Sequence, residues 1–252
     1  IIYILYGVYK IKIFKNDILF YPVDEYAATY SDPPKPALNF IPEWHRVLPK
    51  YSEGKNFLNY GGSGNNLTVK SCLPVTDAFT TGYIISSFYD MQVTRNNVGK
   101  PQITWALNNK NVSPQLVQSN QPRKHNFVNI EGYDDSEFSW LPTWCIKTPK
   151  GYSSMFIHPI NRMDLPFYTI GGVIDTDGWG DAGKHPFMFK KGWQGIIPSG
   201  TPLIQVIPFK RENWDSRTDE SMTKEYSSKI IKRDKKLKDY YRLNHWKSKK
   251  YR

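Results

Sequence analysis

The sequence is short of the features that announce most functions. It has only two cysteines, Cys72 and Cys145, and no CxxC pair, which excludes a disulfide framework or a cysteine zinc site. Both are expected as buried thiols in a reducing compartment. No apolar run approaches the roughly 18 residues of a membrane-spanning helix; the most apolar stretch, Ile1 to Tyr9, ends at Lys10 and Lys12. That start has neither the leading positive charge nor the trailing small residues of a secretion signal. The expected compartment is therefore the cytoplasm, with no membrane partner. The glycosylation patterns at Asn66 and Asn111 are then incidental. Position 1 is not Met, and the expectation is either that the first residues are a translated upstream stretch or that Val8 is a non-standard start.

Motifs for metals, phosphates and nucleophiles are equally scarce. The five histidines form no HxH, HxD or HExxH pattern. A two-His-one-carboxylate site would have to be assembled from His158, Asp175 and His185; the other reading is that the two histidines, each followed by Pro, terminate strands. Gly61-Gly62-Ser63-Gly64 lacks the Gly-Lys-Ser/Thr ending of a phosphate loop and reads as a plain loop. Asp175-Thr176-Asp177-Gly178 looks like half of a calcium loop, but the twelfth position is Pro186 and not Glu, so it reads as a turn. No metal is assigned, and no Ser-His-Asp or Cys-His set is readable.

What is present is a core-forming composition, 39% hydrophobic and 15% aromatic, punctuated throughout by 18 Pro and 17 Gly. Such a chain can bury a core but not build long helices, so a mostly β fold with short helices is expected. Strands are expected at 9–13 and 18–23, joined by a hairpin turn at Asn16-Asp17, and at 83–94 with a return over 102–107. Further strands are expected at 127–130, 143–147, 152–158, 168–174, 187–189, 195–197 and 203–207. In the Pro-rich stretch 31–50, Glu43 to Leu48 reads as one or two helical turns behind Pro42, anchored by Trp44 and Leu48. Residues 74–81 read as a short helix closed by Gly82. The organisation is then one β-rich domain over 1–214, with N-terminal strands and a Pro-rich wrap over 1–60 and a barrel core over 66–211. A helical tail follows over 215–252.

The charge is uneven. The net charge is +11, and residues 215–252 hold 13 Lys/Arg against 6 Asp/Glu. Asp219 to Trp246 contains no Gly or Pro, and Met222, Tyr226, Ile230, Leu237 and Tyr241 recur at helical spacing. Lys232, Arg233, Lys235 and Lys236, with Trp246 among further lysines, are candidate nucleic-acid contacts, because cations neutralise phosphates and an indole stacks on bases. The other reading is a solvated helix whose apolar stripe docks on the body or on a neighbouring subunit.

Between Thr148 and Arg211 three segments follow in order: Pro149-Lys150-Gly151-Tyr152, Gly172-Val173-Ile174-Asp175, and Gly200-Thr201-Pro202-Leu203-Ile204-Gln205. Over these roughly 60 residues the chain resembles the dUTPase and dCTP-deaminase superfamily. The resemblance implies a β-clip, dUTPase-like distorted barrel and a homo-oligomer, a trimer with sites between subunits. It carries over Asp175, as the carboxylate that orients a water, and Gln205. A nucleotide would then have Arg162 or Lys184 near its phosphates and Asp177 and Trp179 beside it, with Mg²⁺ as the metal it brings. The family's Arg-Ser-Ser-Gly stretch is absent near His158 to Arg162, its stacking Tyr falls at Gly178, and the basic helix replaces its Gly-rich arm. Over nearly its whole length, through runs such as Ile41-Pro42-Glu43-Trp44 and Gln205-Val206-Ile207-Pro208-Phe209, the chain also resembles an uncharacterised family of tailed bacteriophages and bacteria, a domain of unknown function. Two readings stand: a phage-encoded, non-catalytic binding or assembly protein without a cofactor, or a nucleotide-binding or nucleotide pyrophosphatase protein on the same fold.

Overall fold

The structure, a computed structural model, describes residues 17–50, 68–105, 117–119, 130–135, 138–235 and 240–252. The expected strand at 9–13, the turn residue Asn16, the loop at 61–64, Phe127 to Asn129 of a further strand, and Leu237 of the tail stripe lie outside the described residues.

Short antiparallel strands dominate. In chain order they are β1 (Leu19–Pro22), β2 (Lys35–Pro36), β3 (Tyr83–Ser86), β4 (Met91–Arg95), β5 (Pro101–Trp105), β6 (Val117–Ser119) and β7 (Phe138–Trp140). Then come β8 (Trp144–Lys147), β9 (Tyr152–Ile157), β10 (Phe167–Thr169), β11 (Gly172–Ile174), β12 (His185–Phe189), β13 (Gly195–Ile197) and β14 (Pro202–Lys210). The helices are α1 (Glu25–Tyr30), α2 (Glu43–Val47), α3 (Leu73–Thr80), α4 (Met222–Lys235) and α5 (Tyr240–Asn244). The strands form four sheets, ordered β11-β9-β14-β3-β2, β10-β12-β7-β6, β13-β4-β5 and β1-β8. Among the described residues no sheet closes on itself, so the mostly β class holds while the expected barrel is not a closed one.

The first two sheets meet around one aromatic core. Trp140 and Phe187 stack with ring centroids 3.5 Å apart, and Phe167, Phe138 and Phe189 pack edge-on or stacked around them. The indole N–H of Trp140, fully buried, donates to Thr169 Oγ1, whose own hydroxyl donates to the Leu203 carbonyl. A buried Trp is stable only with such a partner. Pro202 to Val206 of β14 are all buried, as a central strand covered on both faces requires.

Several expected elements are redrawn. Residues 83–94 are not one strand: β3 and β4 belong to different sheets, and Ser87, which bonds Thr201 O and Gly200 N–H, is the last residue to follow β14 before the chain leaves it. Likewise 168–174 splits into β10 and β11, with Ile170 N–H still held by Pro186 O beside β12 before the chain crosses to β9. His185 begins a strand and does not end one. Neither Gly171 nor Gly172 adopts a positive φ, whereas Gly82 (+77°) and Gly200 (+83°) do. Gly82 closes α3 as expected, and a Cβ there would sit 2.0 Å from the Val206 carbonyl oxygen. In α2 the buried positions are Pro42 and His45, not Trp44 and Leu48; Trp44 keeps an edge contact with Phe79 at 5.7 Å. Cys145 is buried, but Cys72 is exposed.

The tail is helical in two pieces, α4 and α5. Along α4, of the side chains described from Met222 to Lys232, only Ile230 is even partly covered. The segment beyond α5 returns to the body. Trp246 Nε1–H donates to the Asp77 carboxylate at 3.0 Å, Lys249 Nζ pairs with the same carboxylate at 2.5 Å, and Tyr251 packs its ring on Tyr83.

Candidate functional site

β9, β11 and β14, which carry the three patterned segments, are hydrogen-bonded neighbours in one sheet. Past Ile174 the chain turns, with the Gly178 and Trp179 N–H groups both donating to Asp175 O. This turn brings Asp175 and Asp177 to the far end of β9, where Arg211 follows β14. Arg211 forks onto Asp177, through Nη1 to Oδ1 at 2.9 Å and Nη2 to Oδ2, and Gly151 N–H adds a bond to Asp177 Oδ2 at 2.8 Å. Asp175 Oδ1 accepts from Ser153 Oγ at 2.6 Å and lies 3.2 Å from Arg211 Nη1. Below this layer Thr148, Ser154 and Thr176, all buried, join their hydroxyls at 2.8 and 2.9 Å.

One guanidinium, Arg211, serves both carboxylates of this turn; Asp177 is 11% exposed and Asp175 71%. The Arg211 fork, with help from Gly151 N–H, holds the Asp177 carboxyl down at about 2, and the same fork raises the guanidinium. Bidentate, charge-assisted contacts of this type fix geometry as well as charge. The arrangement is a locked turn: the carboxylate expected beside a ligand, Asp177, is only 11% exposed and spends its oxygens on the protein's own donors.

A cleft of about 520 Å³ opens at the other end of β9, lined among others by His158, Asn161, Arg162, Tyr168 and Lys190. His158 stacks on Tyr168 at 4.9 Å, accepts from Thr169 N–H on Nδ1 and so donates from Nε2 to Arg162 O. Burial pushes its pKa down, consistent with a neutral ring in that tautomer. Arg162 forks onto Asp164 at 2.8–2.9 Å, and its Nη1 donates to Phe40 O. Lys190 Nζ donates to Met163 O.

The expected nucleotide residues are thus divided. Asp175 and Asp177 share one turn, while Arg162 lies beyond Ile157, about 17 Å away along the five residue steps of β9. Trp179 is 54% exposed on the turn and Lys184 is exposed farther along the same loop. Gln205 is 1% exposed, and its side chain joins three backbone groups: Nε2 donates to Ala78 O and Thr81 O, and Oε1 accepts from Ile160 N–H. His185 stacks on Phe156 and bonds Ala182 O. Among the described residues no group of three His, Cys, Asp or Glu is arranged to hold a metal ion.

Compared with known families, curated proteins and solved structures, the chain matches none. No described helix is long and apolar enough to cross a membrane.

Of the tail residues, Lys232 is exposed, Trp246 is bound to Asp77, and Lys236 lies outside the described residues, as do the side chains of Arg233 and Lys235. Arg211, at the turn, and Lys190, at the cleft, are candidate-site residues absent from the expected set. Arg211 had a signal: a lone arginine at the end of a strand whose sheet neighbours lead into an acidic turn. Trp214, 85% exposed before α4, had none beyond its residue type.

Proposed function

We propose that this chain is a non-catalytic binding or assembly protein that meets its partner through the arm formed by residues 212–252. One observation carries the reading: the described side chains of α4, over 222–232, lie almost wholly in solvent, with Met222, Tyr226 and Ile231 at least half exposed. A 14-residue helix is marginal without packing, and its apolar side chains gain only when something covers them. The clasp at Asp77 holds the arm against the body beyond α5 and keeps its ordering cost low when a partner arrives. A β-clip, dUTPase-like arrangement of the body and an origin in a tailed phage or a bacterium belong to the same proposal. The adjacency of β9, β11 and β14 supports the first, and the whole-chain resemblance supports the second.

The locked turn supports the non-catalytic part, since Asp175 and Asp177 are tied to Ser153, Gly151 and Arg211. A different observation favours a nucleotide-binding reading: the cleft that holds Arg162 and Lys190 beside the Tyr168 ring. Incubating the full chain with dUTP or dCTP and Mg²⁺ and measuring pyrophosphate release tests the proposal. No release above the protein-free rate is expected; release abolished by Asp175→Ala would overturn it.

A further inference from the structure

Resting on that reading of the arm, we infer that its partner is single-stranded nucleic acid, held by stacking on Trp214 and Tyr226 and by phosphate contacts from Lys224, Lys232 and Arg242. Trp140 is fully buried, and Trp246 is engaged with Asp77. Trp214 at 85% and Tyr226 at 65% are more exposed than Trp179 at 54% or Trp44 at 39% on the body; Tyr226 lies between Lys224 and Lys229, and Trp214 lies in the acidic lead-in, between Glu212 and Asp215 and three residues before Arg217. Exposed rings interleaved with exposed cations are what unpaired bases on a phosphate backbone require: each base offers a face to stack and each phosphate a charge to neutralise. A duplex hides its base faces, so these rings have less to gain from it.

Charge decides against a second copy of the chain as the occupant. The arm carries 13 Lys/Arg against 7 Asp/Glu, and the remaining residues are also net basic, with 21 Lys/Arg against 16 Asp/Glu, so copy on copy brings like charges together. A polyanion meets no such opposition. Trp246, the indole that the sequence nominates for stacking, is instead part of the clasp, where its N–H and Lys249 share the Asp77 carboxylate.

The test is fluorescence anisotropy of labelled oligo(dT), and of a duplex of the same length, with the full-length protein across a salt series. The expected result is tighter binding of the single strand, with log K falling linearly in log salt by about 0.7 per phosphate contact. Lys224→Gln with Lys232→Gln is expected to flatten that slope by about 1.4. Trp214→Ala is expected to weaken binding roughly tenfold and leave the slope unchanged. No binding, binding indifferent to both variants, or equal binding of duplex with Trp214→Ala silent would each overturn the inference. If oligo(dT) is ignored while sedimentation shows self-association that Tyr226→Glu abolishes, the inference falls and the contact-arm reading stands. Pyrophosphate release dependent on Asp175 would remove that reading by itself.

Discussion

Replacing Gln205 by Leu separates two roles that one residue cannot hold equally. The side chain is buried in β14 and joins three backbone groups: the carbonyls of Ala78 and Thr81 and the N–H of Ile160. Ala78 lies in the last turn of α3 and Thr81 just beyond it, where helix carbonyls lack partners of their own. Gln205 therefore closes the end of α3 and ties it to the first residues of the cleft loop. Leucine keeps the volume and removes the amide. Each backbone group left unpaired costs about 1–3 kcal/mol, and the more apolar side chain offsets part of that. A net loss of about 3 kcal/mol corresponds to a fall of about 6–12 °C in a chain of this size. The assay is thermal unfolding by circular dichroism, with the urea midpoint as a second measure. If Gln205 served a ligand, as the dUTPase resemblance implies, the ligand-free protein would unfold at the parental temperature and only a nucleotide-induced shift would vanish. An unchanged midpoint in the ligand-free variant refutes the clamp.

Two further outcomes follow from the geometry. Gly82→Ala is expected to cost at least about 3 kcal/mol in urea unfolding, because φ is +77° and the new Cβ would meet the Val206 carbonyl oxygen at 2.0 Å. Gly99→Ala has the same φ and open space and is expected to cost about 1 kcal/mol; equal losses at the two sites would refute the steric argument. Asp177 is held at about 2 against about 3.9 in the unfolded chain, so its stabilisation is complete above pH 4 and is lost as pH falls through about 2. Asp177→Asn is expected to remove up to about one proton's worth of slope from the acid limb, a gain that solvent at the 40% exposed Arg211 screens in part. Parallel stability curves for parent and variant between about pH 4 and 2 would show that the fork contributes nothing there.

Local chemistry was legible in the sequence where it decides an element by itself. The hairpin of β4 and β5 follows from Asn97-Val98-Gly99-Lys100 between alternating runs, with Gly99 at φ +77°. Gly82 marks the end of α3 for the same reason. Legibility stopped where a distant partner sets the outcome. The breaks after Ser87 and Ile170 come where the chain leaves β14 and β12 for strands of another sheet, partners that no local pattern could nominate. β7 and α1 went unread because three and six residues are too short to show a period, although Asp24, whose carboxylate accepts from Ala27 N–H, is an ordinary helix cap. At the candidate site the three segments share one sheet, β11-β9-β14, an adjacency that their order along the chain does not state. The residue types alone could not say that Asp177 faces Arg211 or that Gln205 faces inward.

The same limit explains why the arm, and not the acidic turn, is where this chain has unspent interaction capacity. At the turn each anion finds a donor within the body: Asp177 has Arg211 and Gly151, and Asp175 has Ser153. Asp177, 11% exposed, would be costly to leave unpaired, so folding selects its fork, whereas Asp175, 71% exposed, keeps one hydroxyl bond and a share of Arg211. The arm is under no such constraint. Its one described intrahelical pair, Lys229 with Glu225 at 2.5 Å, is exposed and worth at most about 0.5 kcal/mol. Met222, Tyr226 and Ile231 of α4 lie in solvent, and the arm is anchored beyond α5, by Trp246 and Lys249 on the Asp77 carboxylate and by Tyr251 on Tyr83. The anchor determines where the arm is presented without covering it. A segment that is positioned but not packed has its favourable contacts still to make, and its rings and cations set the chemistry of what can make them.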